Sequence, residues 1–203
     1  MERLEDRRLL TAASLIGLGD LGGGDFDSIA LGISDDGQTV VGRSNGADGR
    51  NEPFRWTLSD GMTSLGSLPG STTGDSARAA SADGSVVVGQ SDLKSFRWTN
   101  GQLTEIAGGG LSQGYIGAYD VSDDGQIVIG VENGEAYRWE AGTVVGLGDI
   151  EGGSFQSVAI ALAGDGSIVV GWGTNAAEEN EPFRWTAESG MQSLEFRGRA
   201  RDV

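Results

Sequence analysis

The chain has 203 residues, 36 of them glycine, with 37% hydrophobic and 22% charged residues, so it is long enough to bury a core and is not disordered in composition. Its formal net charge of −16 and pI near 4.2 describe a surface that repels phosphate backbones and acidic headgroups, which argues against nucleic acid as a partner. Cysteine and histidine are both absent, removing disulfides, thiolate metal sites, cysteine nucleophiles and a Ser-His-Asp triad, and no apolar run approaches the roughly 18 to 20 residues of a membrane helix.

Met1 to Arg8 is charged rather than hydrophobic, unlike the usual signal peptide, and residues 1–14 stand apart from the rest of the chain. Leu15-Ile16-Gly17-Leu18-Gly19 looks like the last strand of a repeat unit, placed ahead of the first full one. Gly17-x-Gly19-x-x-Gly22 satisfies the dinucleotide pattern, but a strand rather than a helix comes after it, so it reads as a turn between units. Asp20, Asp25 and Asp27 gather near Gly22-Gly23-Gly24 and are the candidates for calcium, which takes hard oxygen ligands. The tandem nonapeptide of calcium-binding glycine-aspartate repeats is missing, and no other cofactor is expected.

The first unit then unfolds strand by strand. Ile29, Leu31 and Ile33 alternate with Ser28, Ala30 and Gly32, the period of a strand. Ser34-Asp35-Asp36-Gly37 turns the chain, glycine accepting the positive φ that such turns need. Thr39-Val40-Val41-Gly42 is nearly all apolar, as for a strand covered on both faces. Phe54-Arg55-Trp56-Thr57 sends Phe54 and Trp56 to one face and Arg55 and Thr57 to the other. Asp60-Gly61 turns again into Met62 to Gly66. The unit is a four-stranded antiparallel meander of about 45 residues, the size of a propeller blade.

Three more units continue the chain. The turns Asp36-Gly37, Asp83-Gly84, Asp124-Gly125 and Asp165-Gly166 are spaced 47, 41 and 41 residues apart. The triplets that end in Arg55-Trp56, Arg97-Trp98, Arg138-Trp139 and Arg184-Trp185 are spaced 42, 41 and 46 apart. Ala30, Ala77, Ala118 and Ala159 stand six residues before the turn aspartates, where a position that must stay small has backbone packed against it. Fourth strands recur at Gln102–Ile106, Val144–Gly148 and Met191–Leu194. The expected fold is all-β: four tandem meanders, about 15–66, 67–109, 110–149 and 150–194, as a β-propeller or an open propeller-like array, with a basic tail at 195–203. An unclosed array exposes blade edges and invites self-association.

Units one and four are the closest relatives: Asn51 to Thr57 recurs letter for letter at Asn180 to Thr186, and both units carry an insertion before the triplet. The loops Asn45–Asn51 and Thr174–Asn180 are therefore the candidate binding loops, with carboxylates at Asp48, Glu52, Glu178, Glu179 and Glu181. No two carboxyls stand out as an acid/base pair for glycoside hydrolysis. The four arginines would converge on an anion in a closed ring, or pair with turn aspartates or neighbouring aromatic rings in packed blades.

From Leu15 to Leu194 the repeat resembles the HAF family of bacterial extracellular repeats, with its S-x-D-G-x-x-V-V-G and F-R-W-T segments. The resemblance implies exported, propeller-like proteins with no established enzymatic activity. Where that family has the His and Ala of its eponymous triplet, this chain has Glu52, Lys94, Glu135 and Glu181, then Pro53, Ser95, Ala136 and Pro182, so no role resting on the histidine carries over. Leu4-Glu5-Asp6-Arg7-Arg8-Leu9-Leu10 is similar to the L-E-P-R-x-L-L segment of large bacterial surface proteins. The expectation is a non-catalytic secreted or cell-surface module for adhesion or recognition, its partner an extracellular protein, a polysaccharide or itself, with no membrane insertion. The alternative is a carbohydrate-active enzyme using carboxylates in a propeller funnel, with calcium.

Overall fold

The structure is a computed structural model that describes residues 15–23, 25–108 and 117–194. Among the described residues sixteen strands form four antiparallel sheets in sequential order, with no helix. Blade 1 is β1 (Ser28–Ile33), β2 (Thr39–Asn45), β3 (Asn51–Thr57) and β4 (Gly61–Ser64). Blade 2 is β5 (Ser76–Ala80), β6 (Val86–Ser91), β7 (Lys94–Thr99) and β8 (Gln102–Gly108). Blade 3 is β9 (Gly117–Val121), β10 (Ile127–Glu132), β11 (Glu135–Glu140) and β12 (Thr143–Gly146). Blade 4 is β13 (Gly152–Leu162), β14 (Ile168–Asn175), β15 (Asn180–Thr186) and β16 (Gly190–Ser193). The four meanders expected from the repeat are all present.

The repeated turn is held by its own side chains. In blade 1 Ser34 Oγ donates to Asp36 Oδ1 at 2.6 Å and accepts from Thr39 N at 3.0 Å, while Gln38 N donates to Asp36 Oδ1 at 2.9 Å. Blades 2 and 3 repeat this with Ser81, Asp83 and Ser85, and with Ser122, Asp124 and Gln126. Blade 4 has Ala163 in place of the serine and keeps only the bond from Ser167 N to Asp165. These bonds favour the charged carboxylate and hold Asp36, Asp83, Asp124 and Asp165 below the usual range, Asp83 at about 2, where the Ser85 backbone bond is the largest cause.

The glycine within each second strand sits opposite a bulge, and the strand runs on past it. Register shifts after Ala30, Ala77 and Ala159, and between β9 and β10, push a first-strand carbonyl under Gly42, Gly89, Gly130 and Gly171. The ring of Phe54, Phe96, Tyr137 or Phe183 lies across the same glycine, so a Cβ there would collide with backbone on one side and ring on the other.

Each blade has two apolar faces. Val41 of blade 1 packs with Val87 and Phe96 of blade 2; Val86 and Val88 of blade 2 pack with Val121 and Val128 of blade 3; and Ile129 of blade 3 packs with Val169 and Phe183 of blade 4. Burying one such side chain contributes about 1.5–3 kcal/mol, so these contacts hold the blades together. The double-sided coverage expected for the second strands is complete only in the middle blades: Val86 to Val88 and Ile127 to Ile129 are buried throughout, whereas Val170 of blade 4 is 39% exposed.

The first strands lie along the axis, β1 against β5, β5 against β9 and β9 against β13. Backbone bonds step between adjacent turns, from Asp36 N to Ala82 O, Ala82 N to Asp123 O and Asp123 N to Gly164 O, at 2.9–3.1 Å. Among the described residues no such bond returns from Gly164 to Asp35, and the array is open between blades 4 and 1.

One expectation fails. Leu15 to Gly19 is not a strand; Leu15 is 100% and Ile16 57% exposed. A fourth strand exists by pairing with a third, as β4 does with β3, and among the described residues no third strand stands beside this segment. What the segment does share with the later units is its continuation: Leu21 N donates to Ser44 Oγ as Leu68 N does to Ser91 Oγ.

Candidate functional site

The arginines of the repeat do not converge on the axis. Arg55 lies 6.0 Å from the Trp98 ring centroid and Arg97 lies 5.7 Å from that of Trp139, each reaching from its own blade to the next. Arg97 also donates to Gly125 O at 3.0 and 3.3 Å. Arg55 stands 3.9 Å from Asp60, and Arg138 pairs with Glu140 at 2.6 Å. These three arginines are thus engaged within their own blade or against the next one.

Four of the five insertion-loop carboxylates are engaged within their own blades. Asp48 forms an ion pair with Arg50 at 2.5 Å and accepts its backbone N–H; that bond first, then the guanidinium, holds its carboxyl down. Glu52 accepts from Ser64 Oγ at 2.5 Å, and Glu181 accepts from Ser193 Oγ and Asn175 Nδ2, so the repeated Asn-Glu-Pro segment latches the third strand to the fourth. Glu178 accepts from Ser154 N at 3.1 Å; Glu179 is exposed. The second loop does border a shallow cleft of about 540 Å³, with Ile150, Glu151, Asn175 and Glu181 in its wall. Asp25 and Asp27 are exposed and Asp20 half-buried. Among the described residues no three acidic side chains are grouped to hold a metal ion.

A different site opens on the axis, where the first strands of all four blades line a cleft of about 390 Å³. Of the equivalent repeat positions Leu31, Arg78, Tyr119 and Ile160, the first three line the cleft, and blade 4 adds Leu162. The Arg78 guanidinium sits 4.5 Å from the Tyr119 ring centroid and donates to Gln90 Oε1 at 3.2 Å, while its buried Nε has no partner. Asp35 and Asp123, from two of the turns, stand exposed at the rim, and Asp120 lies in the wall. Asp120 accepts from Val121 N at 2.9 Å and from Leu162 N at 3.0 Å, bridging blades 3 and 4. Burial pushes its carboxyl up, against those two bonds, and the charges of Asp35 and Asp123 add to the rise.

The sequence reading missed this cleft, although one signal was present. At the repeat position holding Leu31 and Ile160 the middle units carry Arg78 and Tyr119, and where the others have Gly32, Ala79 and Ala161 the third has Asp120. Chemically the cleft offers a cation on an aromatic face, with carboxylates at its mouth.

No family model matches the chain, and no curated protein matches it. Solved structures do. TolB from Acinetobacter baumannii aligns with a TM-score of 0.59 at 16% identity, over 83% of this chain and 43% of that one. A putative TolB from Agrobacterium tumefaciens aligns with a TM-score of 0.53 at 15% identity, over 83% of this chain and 62% of that one. A puromycin hydrolase mutant aligns with a TM-score of 0.54 at 17% identity, over 81% of this chain and 28% of that one. The chain thus spans less than two thirds of the length of each structure it matches, and identities this low establish fold alone. The protein is an all-β, propeller-like repeat module of the kind seen in TolB-like structures.

Proposed function

We propose that the protein is a non-catalytic recognition or adhesion module, exported and displayed at a bacterial cell surface, whose ligand docks in the axial cleft. The observation that carries this reading is the Arg78–Tyr119 pair in a cleft built by all four blades, beside an Asp120 whose two oxygens each hold a backbone N–H. An aromatic face next to a guanidinium, with carboxylates at the rim, suits the rings and hydroxyls of a polysaccharide. The resemblance to HAF-type repeats and to surface-protein N-termini supports export. The test is a set of thermal melts against a polysaccharide panel. One polysaccharide should raise the melting temperature of the wild type by several degrees, and Tyr119→Ala and Arg78→Ala should abolish the shift. No shift across the panel, or a shift that both variants retain, would refute this.

A carbohydrate-active enzyme is the second reading. It is favoured by Asp35, Asp120 and Asp123 meeting in one cleft and by the raised carboxyl of Asp120, as a general acid requires. Release of reducing ends that vanishes in Asp120→Asn would establish it.

A further inference from the structure

The same contact on a turn glycine recurs at each internal junction, and an arginine–tryptophan contact joins it at the first two. The side chain opening the second strand lies against the turn glycine of the next blade: Thr39 against Gly84, Val86 against Gly125, Ile127 against Gly166. All three side chains and all three glycines are buried. Two positions on, Val41, Val88 and Ile129 are 0% exposed. Arg55 and Arg97 then reach across to the tryptophan of the next blade.

At the two ends the halves of this junction stand alone. Blade 4 presents Ile168, half-buried; Val170, 39% exposed; and Arg184, whose side chain has no hydrogen bond, ion pair or ring partner among the described residues. Blade 1 presents Gly37, exposed, where an added Cβ would meet nothing within 4 Å. Beside it runs the paired row Ile33, Val40, Trp56 and Met62, with Ile33 60% exposed. In blades 2 to 4 the residue equivalent to Val40 is 0% exposed.

We propose that blade 4 of one copy docks on blade 1 of a second copy, continuing the inter-blade junction head to tail. Ile168 fills the space over Gly37, Val170 faces Val40, and Arg184 reaches the Trp56 ring. The occupant is a second copy because this chain carries all four parts, in the register its own blades already use. The contact is heterologous, so two copies can satisfy both ends at once as eight blades, within the range of propellers, or extend as a chain. This surface is distinct from the axial cleft, and the two proposals stand or fall separately.

The chain has no cysteine, which makes the contact directly testable. At the equivalent internal junction the Ile127 Cβ lies 3.4 Å from the position a Gly166 Cβ would take, close to the roughly 3.5–4.5 Å that a disulfide needs. Gly37→Cys and Ile168→Cys chains are purified singly, mixed and oxidised mildly, and the wild type is followed by sedimentation velocity. The expected results are a disulfide heterodimer dominating the mixture and a wild-type mass that rises with concentration. Ile168→Asp should weaken that association by about tenfold or more. Three outcomes overturn the proposal. One is a mixture that cross-links no better than either single variant. Another is a wild type that is monomeric throughout, as expected if another part of the same chain covered either face. The third comes from one chain carrying both Gly37→Cys and Ile168→Cys, oxidised in the same way, if its disulfide forms only within itself.

Discussion

Gly125 and Gly37 make a matched pair for testing how the blades are joined. Both are the glycine of an Asp-Gly turn, with φ of 70° and 69°. Replacing either with alanine forces an L side chain into the left-handed region, a common cost of about 1–2 kcal/mol. Only Gly125 has a neighbour: its new Cβ would stand 2.5 Å from Val86 Cγ2 and 3.0 Å from Val86 Cβ, whereas nothing lies within 4 Å at Gly37. Val86 is 4% exposed and β-branched, so its side chain is stiff and closely surrounded. Overpacking of this kind costs about 1–3 kcal/mol. The extra loss in Gly125→Ala over Gly37→Ala should therefore be about 1–3 kcal/mol, roughly 2–4 °C of melting temperature per kcal/mol for a chain of this size. Urea unfolding followed by tryptophan fluorescence at low protein concentration reads the difference. Equal losses in the two variants would refute the claim that the turn glycine is the seat of the inter-blade contact.

The same geometry sets three further outcomes. Asp120→Ala orphans the Leu162 N–H between blades 3 and 4 and should destabilise by about 1–3 kcal/mol in chemical denaturation, with Asp120→Asn milder because an acceptor remains. Ala163→Ser should restore to blade 4 the turn bonds that Ser34, Ser81 and Ser122 make, raising stability by about 0.5–1.5 kcal/mol in the same assay. The turn aspartates titrate lower in the folded chain, so their stabilisation is fully present above the unfolded value of about 3.9. It fades as pH falls toward about 2, the folded value of Asp83; circular dichroism during acid titration should show the loss in that window, and loss beginning near neutrality would contradict it.

Much of this architecture was legible because the repeat fixes it locally. The Asp-Gly turns, the bulge-bound glycines such as Gly89 and the alternation around Arg97 each obey a rule contained within one unit. What escaped depends on how units meet. Leu15 to Gly19 has the letters of a fourth strand but no third strand to pair with, and periodicity carries no information about pairing partners. Glu52 and Glu181 read as loop carboxylates free to bind, yet both face a serine of the adjacent strand. Arg78 lies in blade 2 while Tyr119 and Asp120 lie in blade 3, and only stacking the blades around an axis brings them into one cleft with the rim carboxylates.

Among the described residues three glycine-centred junctions join four blades, and the outer faces of blades 1 and 4 have no blade packed on them. Hydrogen exchange on the monomer tests this arrangement directly. Stability in such an array sums over units and their neighbours, so the blades with two neighbours should open last. Amides of β6 and β10 are predicted to exchange slowest, with those of β2 and β14 losing protection first. Uniform exchange across all four blades, the signature of a single closed cooperative ring, would contradict the account.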